Sequence, residues 1–210
     1  MQQLDTTWFL WVNAITRSTG WLHPVMRVYA VYGPVLFAGF LLVGLLVARQ
    51  RDIQTLAAAG WAALATLVAV GANQPVGHLV AEPRPYLTLP DVAVIVSRTT
   101  DYSFPSDHAV MAGAVATGLL LVSRRLGLLA WAFALVLAFA RVYVGAHYPW
   151  DVAGGLLLGT LVCILGWLAL RPLLVRLTAR LAGLPLLHQI AGPAAQQRGE
   201  QRDGRPARAG

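Results

Sequence analysis

The chain has 210 residues, of which 57% are hydrophobic and only 12% are charged. Soluble domains carry about 25% charged residues, so this composition excludes an ordinary soluble domain and indicates a protein embedded in a lipid bilayer. The net charge is +7 and all 16 basic residues are arginines, but most of them stand at the ends of apolar runs or in the tail, which argues against a nucleic-acid-binding surface.

The chain begins with a short amphipathic segment. Apolar side chains recur at helical spacing across residues 4–17, and Asp5 can cap this helix. The segment is too short to span a bilayer, so we expect an interfacial helix. Five longer apolar runs follow, and a span needs roughly 20 apolar residues. The predicted spans are residues 25–48, 53–76, 108–122, 126–144 and 151–170.

This pattern predicts an all-α integral membrane protein with about five transmembrane helices, and six as the alternative, after the interfacial helix. Residues 1–190 are expected to form one membrane domain, and the polar residues 191–210 a disordered tail. Two polar loops, residues 79–107 and 145–150, lie on one side of the membrane because two spans separate them. The other side holds the arginines at positions 49, 51, 124, 125, 171, 176 and 180.

The positive-inside rule therefore places the arginine-rich side and the C-terminus in the cytoplasm, and both polar loops outside the cell. Arg17 and Arg27 fall on the outer side, against the trend. The one cysteine, Cys163, lies inside an apolar run. It excludes an intramolecular disulfide and a CxxC metal motif.

The first polar loop carries an arginine between two prolines, at Arg84. Its planar guanidinium can bind two phosphate oxygens at once, and the prolines stiffen the approach. An arginine after a span can also be a plain contact with lipid headgroups. We treat Arg84 as a candidate phosphate ligand, with Pro85 and Tyr86 as accessory candidates.

The end of the same loop opens the third span with Ser106, Asp107 and His108. Backbone N–H groups at a helix start point toward an anion, and the Ser106 hydroxyl can donate a further hydrogen bond. His108 can hold a proton for a leaving oxygen. Ser106 or Asp107 would serve equally as an ordinary helix cap, but a cap does not require His108.

The second polar loop joins Arg141, at the end of the fourth span, to His147 and Asp151, at the start of the fifth. Ionisable groups at membrane depth are costly and usually functional. A carboxylate bonded to one imidazole nitrogen would fix the tautomer and leave the other nitrogen as a nucleophile. A His–Asp pair alone can be structural, but Arg141 six residues upstream favours a phosphate site.

Taken in order, these segments resemble the type 2 phosphatidic acid phosphatase superfamily, membrane lipid phosphatases related to the vanadium haloperoxidases. The family pattern is Lys-x6-Arg-Pro, then Pro-Ser-Gly-His, then Ser-Arg-x5-His-x3-Asp. Arg84-Pro85 fits the first part, and residues 105–108 fit the second with Asp107 in place of Gly. The third part is matched by Arg141, His147 and Asp151, with Ala140 in place of Ser. The resemblance covers roughly residues 25–170.

The resemblance implies that His147 attacks phosphorus to form a phosphohistidine, that Asp151 orients His147, and that His108 protonates the leaving oxygen. The phosphate oxygens would be held by Arg84, Ser106, Arg141 and backbone N–H groups near Asp107. Such a site places fixed positive charge where the transition state gathers negative charge, and it uses no metal and no cofactor.

The family lysine is missing, because Gly77 stands at its position. His78 is adjacent, and Arg98 lies in the same loop, so either could supply the positive charge. His78 is therefore a further accessory candidate. It could equally be an ordinary histidine at the end of a helix.

The Asp107 variant, the short core and the N-terminal helix look like bacterial undecaprenyl-diphosphate phosphatases. The expected reaction converts undecaprenyl diphosphate to undecaprenyl phosphate at the outer face of the plasma membrane. A phosphatidylglycerophosphate or phosphatidate phosphatase is the alternative. Because Gly77 replaces the lysine, a catalytically weak lipid-phosphate binding or carrier protein also stays open. The expected partners are the lipid phosphate and the bilayer, with no nucleic acid.

Overall fold

The protein is described by a computed structural model covering residues 2–182, in which helices are joined by loops and no strand occurs. The helices, in chain order, are α1 (Gln2–Ser18), α2 (His23–Ala48), α3 (Ile53–Val80), α4 (Pro85–Thr88), α5 (Asp107–Val122), α6 (Arg124–Tyr143) and α7 (Pro149–Ala182). A 3-10 turn, Gly20–Leu22, joins α1 to α2. The predicted tail, residues 191–210, lies outside the described residues.

Four segments are long and apolar enough to cross a membrane, and α5 is a shorter apolar helix. The four are Gly20–Ala48, Ile53–Thr88, Arg124–Tyr143 and Pro149–Ala182. With 16 residues, α5 measures about 24 Å, less than the roughly 30 Å of a bilayer core. It packs against α3, α6 and α7, so most of its surface is covered by protein. The predicted all-α membrane architecture is confirmed.

Two helices run past their predicted ends. α3 continues to Val80, beyond residue 76, and α7 continues to Ala182, beyond residue 170. Pro75 and Pro172 lie inside these helices, where neighbouring helices and local adjustment can accommodate a proline. Hydropathy marks where the bilayer ends, whereas a helix continues for as long as its backbone is hydrogen-bonded.

Glycines let α7 approach α5 closely. A Cβ added at Gly159 would overlap the carbonyl oxygen of Val110, and one at Gly155 would lie 2.8 Å from that of Ser106. Small residues at helix interfaces allow this kind of close backbone packing in membranes. As a result the start of α5 lies beside the start of α7, and the Ser106 N–H donates to the Asp151 carbonyl at 3.1 Å.

The N-terminal helix α1 is amphipathic and packs against α6 and α7. Phe9 is fully buried, whereas Trp11 on the opposite face is exposed. The predicted capping role of Asp5 was wrong. α1 already begins at Gln2, and the Asp5 carboxylate instead accepts a hydrogen bond at 3.0 Å from the N–H of Trp150, in the first turn of α7. First-turn N–H groups have no partner within their own helix, which is why α7 uses this carboxylate.

The loop between α4 and α5 is tied to α1 and to the end of α6. The Asn13 side chain of α1 donates to the Ala93 carbonyl and accepts from the Ala93 N–H, at 2.8 and 3.0 Å. The Ile95 N–H donates to the Val144 carbonyl at the end of α6. Gly145, with φ of 81°, follows, and a Cβ there would overlap the Ala93 carbonyl. These contacts hold the loop over the end of the bundle at which α6 ends.

Candidate active site

The loop before α5, the start of α5, the end of α6 and the loop between α6 and α7 line a cavity of about 390 Å³, here called the catalytic cavity. Five of the predicted site residues lie in its wall: Arg84, Asp107, His108, Arg141 and His147. The structure therefore brings together residues from all three sequence motifs. Asp101 and Tyr102, which the motifs do not contain, also line this cavity.

His147 lies between the two arginines. Its Nε2 is 3.2 Å from Arg84 Nη1 and 3.2 Å from Arg141 Nη2. A guanidinium can only donate hydrogen bonds, so Nε2 must accept and carries no proton. The other ring nitrogen, Nδ1, is 2.9 Å from the Ser103 carbonyl and donates to it. This tautomer directs a lone pair into the catalytic cavity, between two positive charges.

The surroundings keep this imidazole neutral. Burial, followed by the charges of Arg141 and Arg84, lowers the pKa of His147 well below its ordinary value of 6.5. The side chain is 2% exposed. A ring that stays uncharged at neutral pH is available as a nucleophile without first losing a proton.

Asp151 does not form the direct hydrogen bond to the His147 ring that the sequence predicts. Its Oδ2 lies 3.5 Å from His147 Nδ1, too long for a good hydrogen bond, and the ring is neutral, so this contact is not an ion pair. The carboxylate accepts instead from the Ser103 hydroxyl and, at 2.7 Å, from the Tyr148 N–H. Asp151 thus holds Ser103, and the Ser103 carbonyl orients His147.

Arg84 is buried and almost fully engaged. Its Nη1 donates to the Ala146 carbonyl at 2.9 Å besides contacting His147. Its Nε and Nη2 form a two-point ion pair with Asp101, at 3.2 and 2.9 Å. Burial acts to raise the pKa of Asp101, but hydrogen bonds from Thr99 and Arg84 and the Arg84 charge outweigh it and hold that pKa below its ordinary value. The Asp101 side chain is 58% exposed.

Arg141 connects the catalytic cavity to α2. Its Nη1 donates to the Ala30 carbonyl at 3.3 Å, while its Nη2 contacts His147. Val31, the next residue of α2, lines the catalytic cavity. The position of α2 relative to the site is therefore fixed by one of the two arginines.

The second motif is only partly placed in the catalytic cavity. His108 and Asp107 lie in its wall, and Asp107 accepts a hydrogen bond from Asn73 of α3 at 2.7 Å. Asn73 also donates to the Pro105 carbonyl, so it braces the start of α5. Ser106 is fully buried behind the wall, and its hydroxyl has no hydrogen-bond partner within residues 2–182.

Neither His78 nor Arg98, the two candidates to replace the family lysine, lines the catalytic cavity. His78 is exposed, with its ring 5.4 Å from that of Tyr102. Arg98 lies over the ring of Tyr86, 5.5 Å from the ring centre. A Cβ at Gly77 would be 3.3 Å from the Phe104 carbonyl. His78 and Arg98 therefore do not supply the positive charge that the family lysine would bring to the cavity.

The accessory candidates next to Arg84 support its loop. Pro85 and Tyr86 are both buried. The Tyr86 hydroxyl accepts from the Thr99 N–H at 2.9 Å and donates to the Thr99 carbonyl at 3.0 Å. Residues 2–182 contain no group of three His, Cys, Asp or Glu side chains arranged to hold a metal ion.

Two guanidinium groups directed at one neutral imidazole nitrogen suit an incoming phosphate, and the surrounding bundle is apolar enough to lie in a bilayer. These features define the class of membrane lipid phosphatases. A family model described as "PAP2 superfamily" matches residues 58–173, and the chain belongs to this family. The resemblance seen in the sequence motifs is therefore confirmed.

Two curated relatives and one solved structure are similar to this chain. The chain is 31% identical over 160 residues to "Bacitracin transport permease protein BcrC" of Bacillus licheniformis, covering 76% of this chain and 77% of the relative. It is 29% identical over 151 residues to "Undecaprenyl-diphosphatase BcrC" of Bacillus subtilis, covering 72% and 76%. Its fold is similar to that of a Bacillus subtilis transmembrane PAP2 type phosphatidylglycerolphosphate phosphatase, with a TM-score of 0.59, 22% identity, and 78% and 83% coverage.

Proposed function

We propose that this lipid phosphatase converts undecaprenyl diphosphate to undecaprenyl phosphate. The observation that carries the proposal is the neutral His147 held between Arg84 and Arg141. A relative named as an undecaprenyl-diphosphatase, matched over most of both chains, supports the choice of lipid.

In the proposed reaction, His147 Nε2 attacks the terminal phosphorus. The P–N bond forms as the bond to the bridging oxygen breaks, and the electron pair goes to the leaving lipid phosphate. His108, in the wall of the same cavity, donates a proton to that oxygen. Water then attacks the phosphohistidine while His108 takes up its proton, and inorganic phosphate leaves. Arg84 and Arg141 stabilise the charge on the transferring group.

We infer that the catalytic cavity faces the outside of a bacterial plasma membrane and that the C-terminus is cytoplasmic. The support is the position of the arginines. Arg49 and Arg51 follow α2, Arg124 starts α6, and Arg171 lies in the second half of α7. All four are at the opposite end of the bundle from the catalytic cavity, as the positive-inside rule requires of a cytoplasmic side.

The proposal is tested with detergent-solubilised protein and undecaprenyl diphosphate carrying ³²P in its terminal phosphate. We expect phosphate release from the wild type and none from His147→Ala. In His108→Ala, slow water attack should leave ³²P on the protein as an acid-labile, base-stable adduct. His78→Ala, an exposed histidine outside the catalytic cavity, is the control. Near wild-type turnover in His147→Ala would exclude the histidine mechanism.

One observation favours a second candidate, a lipid-phosphate binding or carrier protein. No basic side chain stands at Gly77, and neither His78 nor Arg98 lines the catalytic cavity. A binder would retain undecaprenyl diphosphate without releasing phosphate from it or from phosphatidate and phosphatidylglycerophosphate. The substrate panel that detects this outcome also separates the diphosphatase from a phosphatidate or phosphatidylglycerophosphate phosphatase.

A further inference from the structure

We propose that Arg27 binds the second phosphate of a lipid diphosphate and so determines the preference for diphosphates over monophosphates. This inference rests on the proposed function. It starts from a second cavity of about 590 Å³, here called the outer cavity, between the start of α2 and the loop before α5. Its lining is His23, Pro24, Arg27 and residues 94–97.

The outer cavity adjoins the catalytic cavity. Val96 and Ser97 line both, so the two spaces share one wall. On the α2 side, Arg27 lines the outer cavity and Val31 the catalytic cavity. Residues four apart lie on the same face of a helix, separated by about one turn. A ligand held at His147 can therefore extend along α2 toward Arg27.

The placement of Arg27 is fixed by the catalytic machinery itself. Arg141 contacts His147 with one guanidinium nitrogen and the Ala30 carbonyl with the other. Ala30 is three residues after Arg27, less than one helical turn away. The contact between Arg141 and Ala30 therefore fixes the position of Arg27 along α2 relative to the His147 imidazole.

Arg27 is the cation of the outer cavity that is available to a ligand. It is exposed, and within residues 2–182 it forms no hydrogen bond or ion pair. The other basic side chain, His23, already contacts the Thr16 carbonyl through Nε2 at 2.8 Å, and its ring packs edge-on against Tyr143. Among residues 2–182, no carboxylate lines the outer cavity to neutralise Arg27.

Arg27 also lies at the end of the bundle where the positive-inside rule disfavours arginine. It stands at the same end of the bundle as the catalytic cavity, whereas Arg49 and Arg51 at the other end of α2 follow the positive-inside trend. A basic residue on the outer side weakens the orientation signal of its own helix. Binding an anionic ligand there would offset that cost.

Arg27 can assist the reaction in this way only when the substrate is a diphosphate. When the bridging P–O bond breaks, its electron pair goes to the second phosphate, which leaves as the lipid monophosphate. Arg27 would stabilise that charge as it develops. In a lipid monophosphate the leaving oxygen is attached to carbon, and no second phosphate is present for Arg27 to bind.

The test compares farnesyl diphosphate with farnesyl monophosphate in detergent. We expect Arg27→Gln to lower the ratio of their kcat/KM values (diphosphate over monophosphate) by about tenfold, the size of one charge-assisted hydrogen bond. Arg27→Lys should recover part of the ratio. Arg17→Gln removes another exposed outer arginine that lines neither cavity, and it is the matched control.

Equal losses on both substrates would overturn the inference, because they indicate a general attraction to anions or a contact with bilayer headgroups. An unchanged ratio would overturn it as well. If the wild type releases no phosphate from either farnesyl substrate or from undecaprenyl diphosphate, the proposed function fails, and a binding measurement then decides the role of Arg27. Calorimetry with methylene diphosphonate and with phosphate should show Arg27→Gln weakening the diphosphonate selectively; equal weakening, or none, would again exclude it.

Discussion

At the residue scale, the neutral state of His147 has a direct consequence for pH dependence. Its pKa is held well below 6.5 by burial and by two arginines. The proposed nucleophile therefore stays unprotonated throughout the mildly acidic range. We expect the pH profile of kcat/KM for farnesyl diphosphate to show no decrease near pH 6.5 caused by protonation of His147.

The same shift affects stability in a defined direction. Below about pH 6.5 the unfolded chain binds a proton at this imidazole, whereas the folded protein does not until its lower pKa is reached. The contribution of His147 to stability therefore falls as pH falls through that window. Thermal unfolding in detergent between pH 7 and pH 5 should show a smaller loss in His147→Gln than in the wild type. An equal loss in both would contradict a depressed pKa.

Ser103 shows what the motifs could not reveal at this scale. Its carbonyl orients His147, and its hydroxyl binds Asp151. Ser103 lies outside the three motifs, and no spacing pattern in the sequence marks a backbone carbonyl as a hydrogen-bond acceptor. Asp101 is similar, because its pairing with Arg84 depends on how the loop folds back over the catalytic cavity.

At the scale of the helices, the contact between α5 and α7 sets the position of Ser106 relative to Asp151. We expect Gly159→Ala to destabilise the protein, because the added Cβ overlaps the Val110 carbonyl and the helices must separate. Gly39→Ala is the matched control, since nothing lies within 4 Å of a Cβ there. Unfolding midpoints in detergent should fall for the first variant and stay level or rise for the second.

An equal response of the two glycine variants would mean that helix propensity, rather than close packing, governs these positions. Turnover provides a second readout. Separation of α5 from α7 would displace His108 from His147, so phosphate release by Gly159→Ala should fall more than that of Gly39→Ala.

The sequence predicted the helices well and their ends less well. The five apolar runs correspond to α2, α3, α5, α6 and α7. The end of α2 at Ala48 is as predicted. The predicted spans 53–76 and 151–170 end before α3 and α7 do, because hydropathy falls at Gly77 and Arg171 although the helical backbone continues. Asp5 was assigned to its own helix because a cap is a local pattern, whereas its partner Trp150 is 145 positions away.

At the scale of the whole molecule, the proposed orientation can be tested with the native cysteine left in place. Cys163 is buried, so it should react slowly with a membrane-impermeant maleimide. We expect Thr100→Cys, in the exposed loop over the catalytic cavity, to be labelled on intact cells. Gln50→Cys, in the exposed turn between α2 and α3, should be labelled only after the cells are opened. The reverse pattern would place the catalytic cavity in the cytoplasm.

The attachment of α1 has a consequence for the order in which the site is completed. Asn13 holds Ala93, 80 positions later, and Asp5 holds Trp150, 145 positions later. A ribosome makes α1 first, whereas Ala93 is made only after nearly half of the 210 residues, and Trp150 later still. α1 is therefore made before either of its partners, and a chain truncated before Trp150 would lack both that contact and the carboxylate of Asp151.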